Sequence, residues 1–478
     1  MADDASEACH VEGRDTSFVV VYNAGTGNPG CKRSVKSVLD KNGPLRSAVR
    51  AARRGVRYRY LRLRAHLGRS RARSLFIGVT GSSGKSTTTA LISHILAARS
   101  RVDMQLLYGT IMPLIWTLVR QRGDADFVVV EIGASEIGTI APMAKLLRPD
   151  VAIVTMVRLE HYAAFRTLEK VAEEKGALVE ALEPGGFAVL NADDEHAMGM
   201  SKRTRERIVT FGQSPGADFR IIDPRAAYPD GLNLTVRWRG GELALRTQLP
   251  AAHFWVPVAA AVTTALELGV PPQTVIERVA SFRPVKSRGE TVAVPGGPRF
   301  LVDTAKAPWH SLNLAFDMVR QASARRKRIV LGNISDYAGS TRKYGVAYRS
   351  AREVSDEVIF VGDNSHRSRA PQEDRDAGRA LSFVSVKPVS DHIRQTAVED
   401  ELILLKGSQN LHLERIALAW THDVKCWVDT CGRKFDCRAC GLFEFPFEEH
   451  EHIRRRKRQQ RRSESFFGRL LLSLTRRG

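Results

Sequence analysis

The sequence predicts an α/β protein with three parts. A P-loop central domain with a mostly parallel sheet comes first, followed by a smaller Rossmann-like α/β domain and a cysteine-rich C-terminal extension. Three observations predict it. Short β-rich runs alternate with helical stretches from Leu75 onward, the pattern of a parallel sheet with crossover helices. One of those runs leads straight into a glycine-containing loop with a lysine, Thr80-Gly-Ser-Ser-Gly-Lys-Ser86. Four of the six cysteines, Cys426, Cys431, Cys437 and Cys440, fall close together near the C-terminus.

Along the chain, residues 1–44 are polar apart from the run SFVVVYNAG, and nothing in them assigns a role. Leu45, Val49, Val56, Tyr60, Leu63 and Leu67 recur at helical spacing, with arginines over the remainder, so an Arg-rich amphipathic helix is expected within an extension spanning 1–74. The runs LFIGVTG, DFVVVEIG, VAIVTMV and FAVLNADD predict the strands of a central domain over 75–283. After the stretch SFRPVKSRGE, the runs RFLVD, KRIVLGN, DEVIFVGD and ELILLKGS predict a second sheet in a domain over 284–421. Residues 422–478 hold the cysteines and then a basic tail.

At 478 residues, the chain is long enough for about three domains. With 43% apolar and 26% charged residues it is an ordinary globular composition, which excludes a mostly disordered chain. No apolar run approaches the ~18 residues that span a bilayer. The acidic N-terminus MADDASEACHVEG has no apolar core, so a cytoplasmic protein without a secretory signal is expected. The net charge of +21 is local rather than general. Residues 45–74 carry eleven Arg and no acid, and residues 453–478 carry ten Lys or Arg against Glu464 alone; the remainder holds 52 basic and 51 acidic residues. A groove gripping a nucleic-acid backbone needs basicity in the folded body. Nucleic acid is therefore not an expected partner.

The loop after the first strand carries the strongest chemical signal. Gly81 and Gly84 let backbone N–H groups approach phosphate oxygens, and the helix that follows adds its partial positive charge. Thr80, Gly81, Ser82, Ser83, Gly84, Lys85, Ser86 and Thr87 are the expected nucleotide-binding residues. Lys85 would reach the terminal phosphates and the Ser86 hydroxyl would ligate Mg²⁺. Val79 stands where the long Walker form has its first glycine, so the match is to the shorter form Thr-Gly-x-x-Gly-Lys-Ser.

That shorter loop resembles the one in the Mur ligase family, and further motifs follow in the family's order. Glu131-Ile-Gly-Ala-Ser-Glu-Ile-Gly138 resembles its Glu-x-Gly segment, and Thr155-Met-Val-Arg-Leu-Glu-His161 its segment leading to a metal-binding histidine. Leu168-Glu-Lys-Val-Ala-Glu-Glu-Lys175 resembles the segment ending in a modified lysine. Asn191-Ala-Asp-Asp194 follows another strand end, and Asp303-Thr-Ala-Lys-Ala-Pro308 resembles Asp-x-Ala-His-x-Pro with Lys306 in place of histidine. Val330-Leu-Gly-Asn-Ile and Leu405-Lys-Gly-Ser-Gln-Asn-Leu-His-Leu-Glu414 look most like the branch that adds D-alanyl-D-alanine to a UDP-N-acetylmuramoyl tripeptide. The resemblance spans about residues 75–418.

What the resemblance implies is an ATP-dependent carboxylate–amine ligase acting through an acyl phosphate. Its partners are a carboxylate acceptor and an amine, amino acid or dipeptide. Phosphoryl transfer is mainly positioning and charge neutralisation, which suits these residue types. Ser86 and Glu131 are hard oxygen ligands for one Mg²⁺. His161 and a carbamylated Lys175 would hold a second. Arg288 matches the arginine that reaches the γ-phosphate from the second domain, Lys306 would do related work, and Asp303 would accept from the ribose hydroxyls. Lys406 is either part of this group or a plain strand-end charge.

Two departures from the family stand out. His253-Phe-Trp-Val-Pro257 replaces the family's asparagine-bearing segment, so Phe254 or Trp255 either stacks on a base or fills the core. Only 74 residues precede the first β run, thirty of them in the Arg-rich stretch, so no recognisable UDP-binding N-terminal domain is expected. The acceptor is then either the muramoyl tripeptide or another cell-surface or poly-amino-acid substrate. A non-catalytic, metal-bound membrane scaffold is the rival from another class; the intact Gly84-Lys85-Ser86 and Glu131 argue against it.

Cys426, Cys431, Cys437 and Cys440 offer four thiolates, enough for a closed structural Zn²⁺ site. His422, His450 and His452 lie nearby as substitutes. The run Arg454–Arg458 followed by Phe466, Phe467, Leu470, Leu471, Leu472 and Leu474 joins cationic and apolar residues. With the first helix, it reads either as a surface for the anionic inner face of a membrane or as helices docked on the protein itself.

Overall fold

The computed structural model describes residues 44–121, 123–335 and 340–460, with residues 44–50 as backbone only. The apolar tail residues 466–474 and the side chains of Leu45 and Val49 lie outside the described set.

The first sheet has nine strands in the order β2-β3-β1-β4-β5-β6-β7-β8-β9. They are β1 (Leu75–Thr80), β2 (Val102–Gln105), β3 (Phe127–Glu131), β4 (Val151–Val154), β5 (Phe187–Asn191), β6 (Arg207–Gly212), β7 (Phe219–Ala226), β8 (Leu232–Trp238) and β9 (Gly241–Arg246). Strands β1 to β6 are parallel. The apolar runs of β1, β3, β4 and β5 are buried on both faces, as a helix-covered parallel sheet requires. Strands β8 and β9 pair antiparallel and alternate buried with exposed residues. The four runs picked out in the sequence are β1, β3, β4 and β5. The alternating strands β7 to β9 carry no such run, which is why the sequence does not announce them.

Register decides where the site lies. Val79 of β1 pairs with Glu131 of β3, and Thr80 pairs with Val154 of β4. The carboxyl ends of three central strands therefore meet at one edge. Because β1 sits between β3 and β4, this edge is a switch point of the sheet, where open α/β sheets bind ligands.

The second sheet follows the order β10-β11-β15-β12-β13-β14, built from β10 (Glu290–Ala293), β11 (Arg299–Asp303), β12 (Lys327–Leu331), β13 (Glu357–Val361), β14 (Ala380–Phe383) and β15 (Leu402–Lys406). It is parallel except for β10. Lys406 stands in register with both Asp303 and Leu331, so the ends of β11, β15 and β12 also converge. One buried apolar cluster contains residues of both sheets, among them Ile77, Ile153, Leu301 and Leu404.

The Arg-rich helix runs Pro44–Arg71. From Leu61 onward it docks through Leu61, Ala65 and Arg69, all buried, and not through the stripe picked out by periodicity. Val56, Tyr60, Leu63 and Leu67 are between 41% and 69% exposed. Close packing explains the choice of face. A Cβ on Gly68 would stand 2.3 Å from the Leu118 carbonyl, so the helix approaches as only glycine allows. Arg69 then donates to the carbonyls of Leu147 at 2.6 Å and Arg148 at 2.5 Å, pairs with Asp150 at 3.3 Å and lies over Phe76. No helix among the described residues is long and apolar enough to cross a membrane.

Candidate active site

The loop after β1 is shaped by its glycines. Gly81 has φ +144° and a Cβ there would fall 1.9 Å from Thr155 Oγ1; Gly84 has φ +81°. Both conformations favour glycine. Thr155 Oγ1 donates to the Ser83 carbonyl at 2.6 Å, and Ser82 N donates to the Met156 carbonyl at 2.9 Å. The segment after β4 thus clamps the loop. Gly84 leads into the helix Lys85–Leu96, whose first N–H groups have no partner within the helix and are available to an anion. Lys85 Nζ donates to the Gly81 carbonyl, folded over its own loop where a phosphate would draw it out.

The predicted Mg²⁺ residues come together. Ser86 Oγ donates to Glu131 Oε2 at 2.8 Å, and the same oxygen accepts from Leu107 N at 3.0 Å. A hydroxyl and a carboxylate side by side beneath a phosphate cradle are a fit donor set for Mg²⁺.

Beside them lies a residue that the sequence motifs do not single out. Glu160 accepts from Lys175 Nζ at 2.5 Å, and the two side chains are 8% and 1% exposed. Burial pushes the Glu160 carboxyl up, but the charges of Lys175, Lys85 and His161 prevail and hold it at about 2. Burial pulls the Lys175 ammonium below its usual range against the attraction of Glu160. Glu160, His161 and Lys175 therefore form one charged group within reach of Lys85. The signal for Glu160 is present, since a carboxylate immediately precedes the predicted histidine. Glu174 serves structure instead, accepting from Gly138 N and Ile140 N, both at 2.6 Å. Asp194 accepts from Val157 N at 2.8 Å and from Arg158 at 2.9 Å, holding the strand-end segment.

The second sheet closes the site with cations. Burial, followed by the nearby charges of Lys85 and Arg288, lowers Lys306 to about 8; Glu160 and Glu131 oppose the shift. Lys306 of the second domain thus sits in the charge field of Lys85, Glu160 and Glu131 of the first and of Arg288. Lys406 Nζ donates to Asp303 Oδ2 at 2.6 Å and to the Lys306 carbonyl at 2.9 Å. Asp303, expected to meet a ribose, is thereby tied on one oxygen to the neighbouring strand. His310 carries no signal in the sequence. Burial lowers it to about 4, with Lys85, Lys406 and Lys175 adding to the shift and Glu160 opposing it. Both its ring nitrogens are buried without a hydrogen-bond partner, so it is a neutral imidazole in a field of charges.

Phe254 settles into the core. It is 8% exposed, stacks on His253 and stands where a Cβ on Gly289 would lie. Trp255 packs partly buried against the same core, edge-on to Phe211.

The four cysteines are free and line one small cavity with His412 and His450. The tightest group of ligating atoms there is a different one from the four thiols alone. His412, Glu414 and Cys437 lie within 4.8 Å of one another, and His412 Nε2 is 3.1 Å from Cys431 Sγ. The spacing of the cysteines could not reveal His412, which belongs to the end of the second α/β domain.

Fold and site together define a P-loop α/β protein whose phosphate cradle is faced by cations from a second α/β sheet. Residues 79–265 match the Mur ligase middle domain. A UDP-N-acetylmuramate–L-alanine ligase of Xanthobacter autotrophicus is 32% identical over 263 residues, 53% of each chain; the chain thus spans about half the length of this relative. The UDP-N-acetylmuramoyl-tripeptide–D-alanyl-D-alanine ligase of Escherichia coli is 24% identical over 360 residues, 73% of this chain and 77% of that one. Among solved structures, MurF from Acinetobacter baumannii has a TM-score of 0.67 at 21% identity, covering 75% of this chain and 79% of the other. The matched relatives are named for two different amines, L-alanine and D-alanyl-D-alanine, and do not single out one branch.

Proposed function

We propose that the protein is an ATP-dependent ligase that joins a carboxylate to an amine through an acyl phosphate. The observation that carries this reading is that Lys306 of the second domain lies buried within the charge field of Lys85, Arg288, Glu160 and Glu131, beside the Ser86–Glu131 contact after the P-loop. The cations Lys85, Arg288 and Lys306 would neutralise a transferring phosphoryl group, and no covalent nucleophile is needed, which is what this chemistry requires. Ser86 and Glu131 would hold one Mg²⁺, and Glu160, His161 and Lys175, carbamylated as the resemblance implies, a second; the metals would supply charge neutralisation of the phosphates. The boundaries 75–283 and 284–421 are proposed for the two catalytic domains. The proposed amine is a dipeptide of the D-alanyl-D-alanine type on a muramoyl tripeptide. The Leu405–Glu414 motif and the name of the Escherichia coli relative support it; L-alanine on a muramate is the competing pair. Phosphate release from ATP, measured with each pair, decides between them. Lys85→Ala should reduce that release at least about a hundredfold with the fold intact; near-normal turnover would remove the reaction from this loop.

A peripheral membrane location is proposed as a second reading. The observation favouring it is the exposure of Val56, Tyr60, Leu63 and Leu67 on an arginine-rich helix. Sedimentation with anionic but not neutral vesicles, reversed by salt and lost on deleting residues 44–60 and 453–478, is the expected result.

A further inference from the structure

The loop that carries Arg288 is held by the cysteine-rich segment. Arg288 lies between Ser287 at φ +60° and Gly289 at φ +67°, and a left-handed serine persists only where its surroundings enforce it. Here they do. Ser287 is 2% exposed, and its hydroxyl donates to Asp436 Oδ2 at 2.8 Å. Its N–H donates to Glu290 Oε2 at 3.0 Å. Arg438 then grips both carboxylates. It donates to the two Glu290 oxygens at 2.6 and 2.8 Å and to the two Asp436 oxygens at 2.8 and 2.6 Å. Such two-pronged arginine contacts fix direction as well as distance. Asp436 and Arg438 flank Cys437, in the short turn Cys437–Cys440.

That turn leads to the cysteine cavity. Cys437 N donates to Glu414 Oε1 at 3.0 Å, and the same oxygen lies 3.1 Å from His412 Nδ1. A carboxylate bound to one imidazole nitrogen leaves the other directed, as carboxylates do behind metal-bound histidines; the other nitrogen here meets Cys431. The cavity is about 10 Å³, room for one ion. His450, 3% exposed, lines it with a ring nitrogen that has no partner.

We propose that Cys426, Cys431, Cys437 and Cys440, with His412 beside them, bind one Zn²⁺, and that this ion sets the position of Arg288 through the Asp436–Arg438 clasp. Metal occupancy at the C-terminus then governs how well the active site holds the terminal phosphate of its nucleotide. Asp436 and Arg438 are positioning residues; they act on the nucleotide only through Arg288. The inference rests on the ligase reading, because it takes Arg288 to meet the γ-phosphate.

The test uses the full chain and two nucleotides, ADP and a non-hydrolysable ATP analogue, with Mg²⁺ present. The purified protein should carry about one zinc. Arg288→Ala should weaken the analogue about tenfold and leave ADP unchanged, because only the analogue has a third phosphate. Zinc removal, Cys440→Ser and Arg438→Gln should each reproduce that selective loss, and added zinc should reverse it after chelation but not in Arg438→Gln, which keeps its zinc. Unchanged ADP affinity shows in each case that the P-loop domain is folded. If Arg288→Ala shifts the ratio of the two affinities while zinc removal and Arg438→Gln do not, the clasp is overturned and the ligase reading stands. If Arg288→Ala itself leaves the ratio unchanged, Arg288 does not meet the nucleotide and both fall. Protein prepared without chelators and free of zinc overturns the metal site.

Discussion

Lys175 Nζ lies 2.5 Å from Glu160 Oε1, and the pair is closed off from solvent. A buried pair of this kind is costly to break, because the charge left behind has no water to turn to. With Lys175 unmodified, in metal-free protein kept without bicarbonate, Glu160→Gln should therefore destabilise the protein by about 3 kcal/mol at neutral pH. The sign of its pH dependence follows from the two groups. In the wild type Glu160 titrates at about 2 rather than 4.5, so its contribution is complete above 4.5 and fades as pH falls toward 2. In the variant Lys175 loses its counter-charge and its lowered pKa falls further. Between its lowered folded pKa and its unfolded one of 10.5 the unfolded chain binds more protons than the folded one, so the deficit should shrink as pH rises through that range. Denaturant unfolding at pH 6 and pH 9 measures this; an equal deficit at both would place Lys175 outside the pair.

The same burial bears on the modification of Lys175. A carbamate forms from a neutral amine and carbon dioxide, and burial lowers the pKa of this lysine, favouring the neutral form. Turnover should depend on bicarbonate. Lys175→Ala should lose activity and regain part of it with a short carboxylic acid that fills the vacated space. Mass spectrometry finding an unmodified lysine in protein turning over at full rate would remove it from the metal site.

Lys306 predicts a pH limb. Burial and its cationic neighbours leave it at about 8 in the free enzyme, so it is charged below that value and neutral above it. If its charge stabilises the transferring phosphate, kcat/KM should fall as pH rises through about 8, because that ratio reports the free enzyme. Lys306→Arg keeps the charge at higher pH and should abolish the limb. A limb unchanged in the variant assigns it to another group.

Much of this is legible in the sequence where one local pattern fixes the outcome. The continuous apolar runs could only be strands buried on both faces, and the Gly81–Ser86 loop dictates the cradle. The Arg-rich helix shows where periodicity misleads. Val56, Tyr60, Leu63 and Leu67 of its apolar stripe stay exposed while Leu61, Ala65, Gly68 and Arg69 make the contact, because shape decides the docking and not hydrophobicity. His310 and His412 escape a sequence reading for a related reason, and Glu160 shows there only as a carboxylate beside the predicted histidine. Their chemistry depends on a partner further along the chain in one case, on a second sheet in another and on a cysteine segment in the third. No spacing rule carries that information.

The two glycines of this helix make the same point in a form that can be measured. Ala is the better helix former by up to about 1 kcal/mol per residue, so propensity alone favours replacing both. At Gly55 nothing lies within 4 Å of an added Cβ, and Gly55→Ala should raise helix content with no loss of stability. At Gly68 the added Cβ would meet the Leu118 carbonyl at 2.3 Å, and that contact is backbone at the end of the helix Ile111–Arg120, which cannot swing aside. The helix would have to lift, loosening Leu61 and Ala65 from the core and Arg69 from the carbonyls of Leu147 and Arg148. Overpacking of this sort costs about 1–3 kcal/mol, more than propensity returns. Gly68→Ala should therefore lower the melting temperature while Gly55→Ala does not; equal effects from the two would mean that the helix is not docked on this face.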